Sequence, residues 1–460
     1  MAKTVRQTVY QTFTSAQVRA LLIPLIAEQV LTSLMGCADT LMVSSAGEAA
    51  VSAVSLVNAL NQLMVMLFSA MSVGGTVVVS QLIGRKDLRE AGACAKQLMM
   101  AITALAGGIG LLCVFLRGPM LQLIYGRVEA DVMAEAKIYL LITALSYPFL
   151  ALASAGGAIF RAGGNSRLPM MVSLISNVIN VAGNAVLILG FHMGAAGVAI
   201  PTLISRIINA AWISLALRNR NNLLVIRRWL VKPSFRRIRQ ILRVGIPSGV
   251  ENSLFQLGKL MVQTVISGMG TTAIAANSIT SIMEGFSSMS TNGIVLGTLT
   301  ISGTCMGAGE KEEAEHWTWR MTLLAMLTTF ISCVVAILLI RPLTSLTGLS
   351  PEAADLACKM TFYLHLYKFI PHAFSFVLNS GMRGAGDGRF SMIVSSVTMW
   401  LFRVLTTALL ARFTNVGPMA MWIGMSVDWT ARAIIFTWRF KSRAWMNKRV
   451  LEEESPQKAT

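Results

Sequence analysis

A mostly apolar run from Val18 to Val43 carries two carboxylates, Glu28 and Asp39. A run of this length crosses a bilayer, which takes roughly 20 residues. An acid at the centre of a spanning helix costs about 2.5–3.5 kcal/mol on insertion scales, so a chain that keeps one gives it a partner or a task. Asp39 is therefore the first candidate for a functional group, and the rest of the chain is read around it.

The same kind of run recurs along the whole sequence. Apolar spans fall at 18–43, 51–80, 94–116, 133–160, 168–190 and 194–217, and after a basic linker at 243–269, 272–303, 317–340, 354–381, 390–412 and 417–438. Only 13% of the residues are charged, about half the share of an ordinary soluble protein, and the mean hydropathy is +0.63. The fold class that follows is an all-α polytopic membrane protein of about twelve transmembrane helices. Several spans are longer than an upright crossing needs, which predicts tilt or kinks. Pro24, Pro148, Pro201, Pro247 and Pro371 mark the places, because each removes a backbone hydrogen bond.

The net charge of +18 is distributed as a membrane protein distributes it, not as a nucleic-acid binder does. The linker 218–242 is rich in arginine and has no acid. Arg85, Lys86 and Arg89, then Arg161 and Arg167, Lys311, Arg383 and Arg389, and the tail after Arg439 mark the same side, whereas the loops SSAGEAA, GFHMGAAG and GMGTT have no lysine or arginine. Arg117, Arg127 and Arg341 soften the contrast. Both termini are expected in the cytoplasm, with the first span retained as a signal-anchor in a bacterial inner membrane. The six cysteines lie in or beside apolar spans without metal-ligand spacing, so no metal or cofactor is expected from them. Nucleophile elbows and phosphate loops are missing from the sequence, so an enzyme is not expected.

The two halves repeat. Ile23, Pro24 and Glu28 recur at one constant offset as Ile246, Pro247 and Glu251, and the same offset relates Leu31 to Leu254, Gly47 to Gly270, Gly84 to Gly307 and Pro148 to Pro371. At an offset shorter by one, the loop RAGGNSR (161–167) pairs with RGAGDGR (383–389). Six helices per repeat give both halves the same orientation, related by an axis along the membrane normal. The predicted domains are an N-lobe of residues 1–217, the linker 218–242, a C-lobe of residues 243–440 and a cytoplasmic tail of residues 441–460. A substrate cavity near the midplane is the expectation for such two-bundle architectures.

The sequence resembles the multidrug and toxic compound extrusion (MATE) family over nearly its whole length. The likeness rests on CADTLMVSSAGEAAVSAVS, VSQLIGRKD, RAGGNSRLPMMVSLISNVINVAGNAVLILG, GVAIPTLISR and GIPSGVENSLFQLGK, in that order. It implies a secondary active antiporter, acting as a monomer, that exports cationic or amphipathic organic compounds in exchange for H⁺ or Na⁺. The alternative within the superfamily is a flippase or exporter of lipid-linked or other biosynthetic intermediates. The resemblance also implies a coupling-cation site at Asp39, Asn180 and Thr202, with Asn184 where an acid is often found. In the second half, family members carry a glutamate where this chain has Phe255, so that role is not transferred to Glu251.

Other polar residues inside the spans are weighed on their own chemistry. Asn177, Asn180 and Asn184 form one stripe of a helix, whose counterparts Met399, Phe402 and Thr406 are not amides. That asymmetry points to ion chemistry in the first half. Asn177, Lys259 and, at equivalent kinks, Glu28 and Glu251 are candidates for gating or substrate contact, and Lys259, two turns on from Glu251, is also a candidate to neutralise it. Glu284 is a candidate contact for a cationic substrate. Arg403, Asp428 and Arg432 read as a structural ion-pair group beside Trp400 and Trp429, and His365, Lys368 and His372 as a candidate proton relay.

Overall fold

The computed structural model describes residues 12–126, 129–448 and 450–451; the side chains of residues 37–41 and 44 lie outside that description. The first half contains α1 (Ser15–Ser44), α2 (Glu48–Gly84), α3 (Leu88–Tyr125), α4 (Ala130–Leu145), α5 (Tyr147–Ala162), α6 (Arg167–Asn184) and α7 (Gly194–Ala216). The second contains α8 (Phe235–Ser267), α9 (Thr271–Ala308), α10 (Lys311–Leu346), α11 (Pro351–Ala373), α12 (Asn379–Ala385), α13 (Gly388–Thr398), α14 (Leu405–Phe413) and α15 (Met419–Lys441). Three of these helices continue through π-helical turns: α6 into Ala185–Gly190, α11 through Phe374–Leu378 into α12, and α13 through Met399–Val404 into α14. Counting continuous and bent helices as one, each half makes six passages among the described residues.

The helices overrun the apolar stretches that announce them, because turns at their ends are polar but still helical. Gly47 and Gly270, repeat partners, cap α2 and α9 at φ of 95° and 97°. Only glycine adopts that backbone without strain, so the duplicated loop demands it twice. Asp87 caps α3 by accepting from Glu90 N–H at 2.9 Å, and Ser350 caps α11 by accepting from Ala353 N–H at 3.3 Å. Pro148 and Pro371 are also repeat partners with different outcomes. In the first half the chain bends 41° between α4 and α5 beside Pro148. In the second, α11 passes Pro371 and absorbs the lost bond in a π-turn.

Among the described residues, seven helices are each apolar and long enough to cross a membrane, and the bent α4–α5 pair makes an eighth span. All six passages of the first half are among these, but only α10 and the α13–α14 passage of the second. The other four are interrupted: α8 by Glu251 and Lys259, α9 by Glu284 among serines and threonines, α11 by Lys359, His365, Lys368 and His372, and α15 by Asp428 and Arg432. On the outside, large apolar side chains such as Leu112, Phe115 and Leu123 of α3 are exposed, the surface that hydrocarbon covers.

The chain divides into two compact units. One is Arg19–Gly249, with Val54, Val57, Leu140 and Val198 in its core. The linker and the start of α8 pack on this unit: Arg237 grips Glu90 with two hydrogen bonds of 2.8 and 2.9 Å, and Gln97 Nε2 donates to the Lys232 carbonyl at 2.7 Å. The other unit runs from Val250 onward and takes in the segment ending at Val18. Its core gathers Met283, Leu364, Trp422 and Trp429. The Thr12 and Phe13 N–H groups donate to the buried Glu313 carboxylate at 3.1 and 2.9 Å, which ties that segment to α10.

Candidate functional site

In the first unit, α6 and α7 bring three polar side chains together. Asn180 Nδ2 donates to Thr202 Oγ1 at 3.1 Å, Asn184 Nδ2 donates to Asn180 Oδ1 at 3.3 Å, and Thr202 Oγ1 donates to the Val198 carbonyl at 2.9 Å. Asn180 and Asn184 are buried, with Asn184 wholly so. The approach depends on Gly183. A Cβ there would lie 2.8 Å from Pro201 Cβ, so a glycine lets Pro201, and Thr202 beside it, sit against α6. Asn177 is half-buried one turn earlier on α6. Amide and hydroxyl oxygens are hard, neutral donors suited to small cations. Asp39 sits on the backbone of α1, and its side chain lies outside the described residues.

Glu28 and Glu251 occupy equivalent positions and have different surroundings. Glu251 is held in the second unit by Asn379 Nδ2 (3.3 Å to Oε1), Ser391 Oγ (3.3 Å to Oε2) and Arg383 Nη1 (3.7 Å to Oε2). The single Ser391 hydroxyl proton is shared between Glu251 Oε2 and Asn379 Oδ1. In the first unit, Glu28 Oε2 is buried without a hydrogen-bond partner among the described residues, although the Arg161 charge acts on it. The expected neutraliser of Glu251 is wrong. Lys259 lies eight residues farther along α8, about 12 Å along the axis, beyond its reach; its Nζ sits instead 5.1 Å from the Phe255 ring centre.

The second unit also gathers charge at depth. Lys368, fully buried, shares its three Nζ protons among four acceptors: Glu284 Oε1 (3.0 Å), the Glu284 carbonyl (2.9 Å), Ser287 Oγ (2.7 Å) and Ser288 Oγ (2.6 Å). Ser288 Oγ donates to Glu284 Oε1 at 2.7 Å, and His365 and His372 border the same group through Ser287 and Ser288. Asp428 takes Arg403 on one oxygen and Arg432 on the other, each at 2.7 Å. Arg403 is carried by the π-turn Met399–Val404, and Arg432 also donates to Thr398 Oγ1 and the Ser395 carbonyl. Of the two tryptophans expected here, Trp400 is exposed, whereas Trp429 is buried against Lys368, Arg403 and His372.

The duplicated scaffold is matched twice by one family. The MatE family model covers residues 24–186 and again 247–409, with the two matches displaced by the offset of the internal repeat. The chain belongs to the MATE family of membrane transporters. A probable multidrug resistance protein NorM of Thermotoga maritima is 26% identical to this MATE chain over 94% of each sequence. An uncharacterised transporter, YisQ, of Bacillus subtilis is 27% identical over 92% of this chain and 94% of its own length. Among solved structures, a MATE protein in complex with MaL6 superposes with a TM-score of 0.87 at 20% identity over 94% of this chain and 97% of its own. An outward-facing MATE transporter of the MOP superfamily gives 0.88 at 19% over 94% and 96%.

Two features of this MATE protein went unread in its sequence. Arg383, Asn379 and Ser391 were not expected around Glu251, yet Arg161 and Arg383 repeat as Glu28 and Glu251 do, and that shared recurrence was the available signal. Phe255 was read only as a missing acid. Lys259 lies one turn on along the same helix, an i,i+4 spacing visible in the sequence, but Arg403 and Arg432 reach the Phe255 ring from two other helical passages and leave no local signal.

Proposed function

We propose that this MATE protein is a secondary active antiporter of the bacterial inner membrane that exports amphipathic organic compounds in exchange for H⁺ or Na⁺. The observation that carries this reading is the set of amide and hydroxyl oxygens shared by the buried Asn180 and Asn184 and the half-buried Thr202 within an apolar bundle. Oxygen donors in that setting are costly to bury and suit a small cation. In the cycle, a cation arriving from outside neutralises Asp39 with help from those oxygens. α1 then bends at Pro24, substrate leaves outward, and loss of the cation to the cytoplasm resets the site. One charge moving down 100 mV yields about 2.3 kcal/mol, which sustains roughly 50-fold accumulation.

The test is efflux from proteoliposomes under an imposed pH or Na⁺ gradient. Gradient-driven efflux that Asp39→Asn abolishes, and that Asn180→Ala and Thr202→Ala weaken, supports the reading. Full coupled efflux by Asp39→Asn sinks it.

A further inference from the structure

The charges of the second unit do not balance, and the imbalance has a direction. Among the described residues, four cations, Lys259, Lys368, Arg403 and Arg432, share two carboxylates, Glu284 and Asp428, around two aromatic rings. The rings link the group into one body. Phe255 has Lys259 Nζ at 5.1 Å and the guanidinium carbons of Arg403 and Arg432 at 5.0 and 5.5 Å. Trp429 has Lys368 Nζ at 5.7 Å and Arg403 at 5.8 Å. A ring face partly offsets a cation but carries no charge, so two positive charges remain over.

Asp428 serves two guanidiniums, and Glu284 meets both Lys368 and Ser288 through Oε1. Trp429 Nε1–H is buried with no acceptor among the described residues. The group is not sealed. Lys259 is exposed, and the Glu284 side chain is 24% exposed beside the fully buried Lys368. Apolar walls around uncompensated cations raise the local potential that an arriving anion feels.

We infer that this cluster is a substrate subsite for the anionic headgroup, carboxylate or phosphate, of an amphipathic compound. The headgroup meets Lys259 while the apolar body lies along Phe255. The inference rests on the export reading and replaces the cationic substrate that the family resemblance implied. Glu284 then serves to hold Lys368 in place and does not attract cargo.

The test uses the purified full-length protein in detergent and a pair of dansyl probes with one fluorophore: dansylglycine, and its analogue with trimethylammonium in place of the carboxylate. Binding is read by tryptophan-to-dansyl energy transfer. The anion binds at least tenfold more tightly than the cation. Lys259→Ala weakens the anion by about tenfold, the loss of one charge-assisted contact, Lys259→Glu weakens it further, and Lys259→Arg retains it, while the cation probe is unmoved or gains. Lys259 is exposed, so these variants spare the fold, and their unfolding temperatures check that. Displacement by farnesyl phosphate in preference to a soluble aryl carboxylate assigns the anion to a lipid headgroup; the reverse order assigns it to a free small molecule. Tighter binding of the cation, equal binding of both, or an anion affinity untouched by Lys259→Glu overturns the inference. No gradient is applied, so the result stands apart from the vesicle assay that decides coupling.

Discussion

The duplicated Glu–Arg motif is held firmly in the second half and loosely in the first. Four residues before Arg383 stands Asn379, and eight after it Ser391; both hold Glu251. At the same distances from Arg161 the chain has Gly157 and Pro169, neither able to bond Glu28 through a side chain. A Cβ on Gly157 would lie 3.2 Å from Arg161 Nη1, so the guanidinium lies over the bare glycine where the second half has an amide. Duplication reproduced the backbone, the kink proline and both charges. It did not reproduce the polar neighbours that decide what those charges do. Beyond that motif, the first half buries the amides Asn180 and Asn184, and the second buries the ion-paired Lys368, Arg403 and Arg432.

Six substitutions press on that contrast. The largest effect is expected at Asp428→Ala, which leaves Arg403 and Arg432 buried without their carboxylate and costs about 3–5 kcal/mol. Asn180→Ala in the amide cluster costs only ~0.6 kcal/mol, the average for a contact between membrane helices. Thermal unfolding of the two purified variants reads the difference, and equal shifts would erase the contrast. Next comes Gly183→Val. A side chain driven into Pro201 separates α7 from α6 at about 1–3 kcal/mol, and crosslinking of cysteines placed at 180 and 202 should fall with it. Unchanged crosslinking would mean that the close approach is not needed.

Glu251→Gln weakens a satisfied clamp and lowers stability by about 1–3 kcal/mol, whereas Glu28→Gln, which removes a buried carboxylate left short of hydrogen bonds among the described residues, is neutral or stabilising. The opposite signs sharpen the repeat comparison, and a shared sign breaks it. A small effect is also expected at Arg237→Ala. Its pair with Glu90 is partly exposed, with side chains 32% and 26% accessible, so the loss is below about 1 kcal/mol and shrinks in high salt. A loss that persists at high salt would show that Arg237 acts through packing.

Much of this was legible before any coordinates. Each of the twelve apolar runs corresponds to a helical passage, since hydropathy over some twenty residues is a local and additive property. The spacing of Asn177, Asn180 and Asn184 already placed them along one face of a helix. Helix breaks were less legible. Pro148 and Pro371 share a sequence position, yet one adjoins a bend and the other a π-turn, because the bond that proline removes is made good by whatever packs nearby. Lys259 was misassigned for a related reason: neighbours along one helix were visible, while nearer partners on other helices were not.

What the sequence alone determined is the number of passages, their duplication and the depth at which charge is carried, all properties of short stretches against a hydrocarbon solvent. What only the tertiary structure decided is which charge meets which. Glu251 finds Asn379 at a separation of 128 residues, and Lys368 finds Glu284 at 84. A buried ion is stabilised by the few ångströms around it, and in a helical bundle those ångströms are filled from distant parts of the chain.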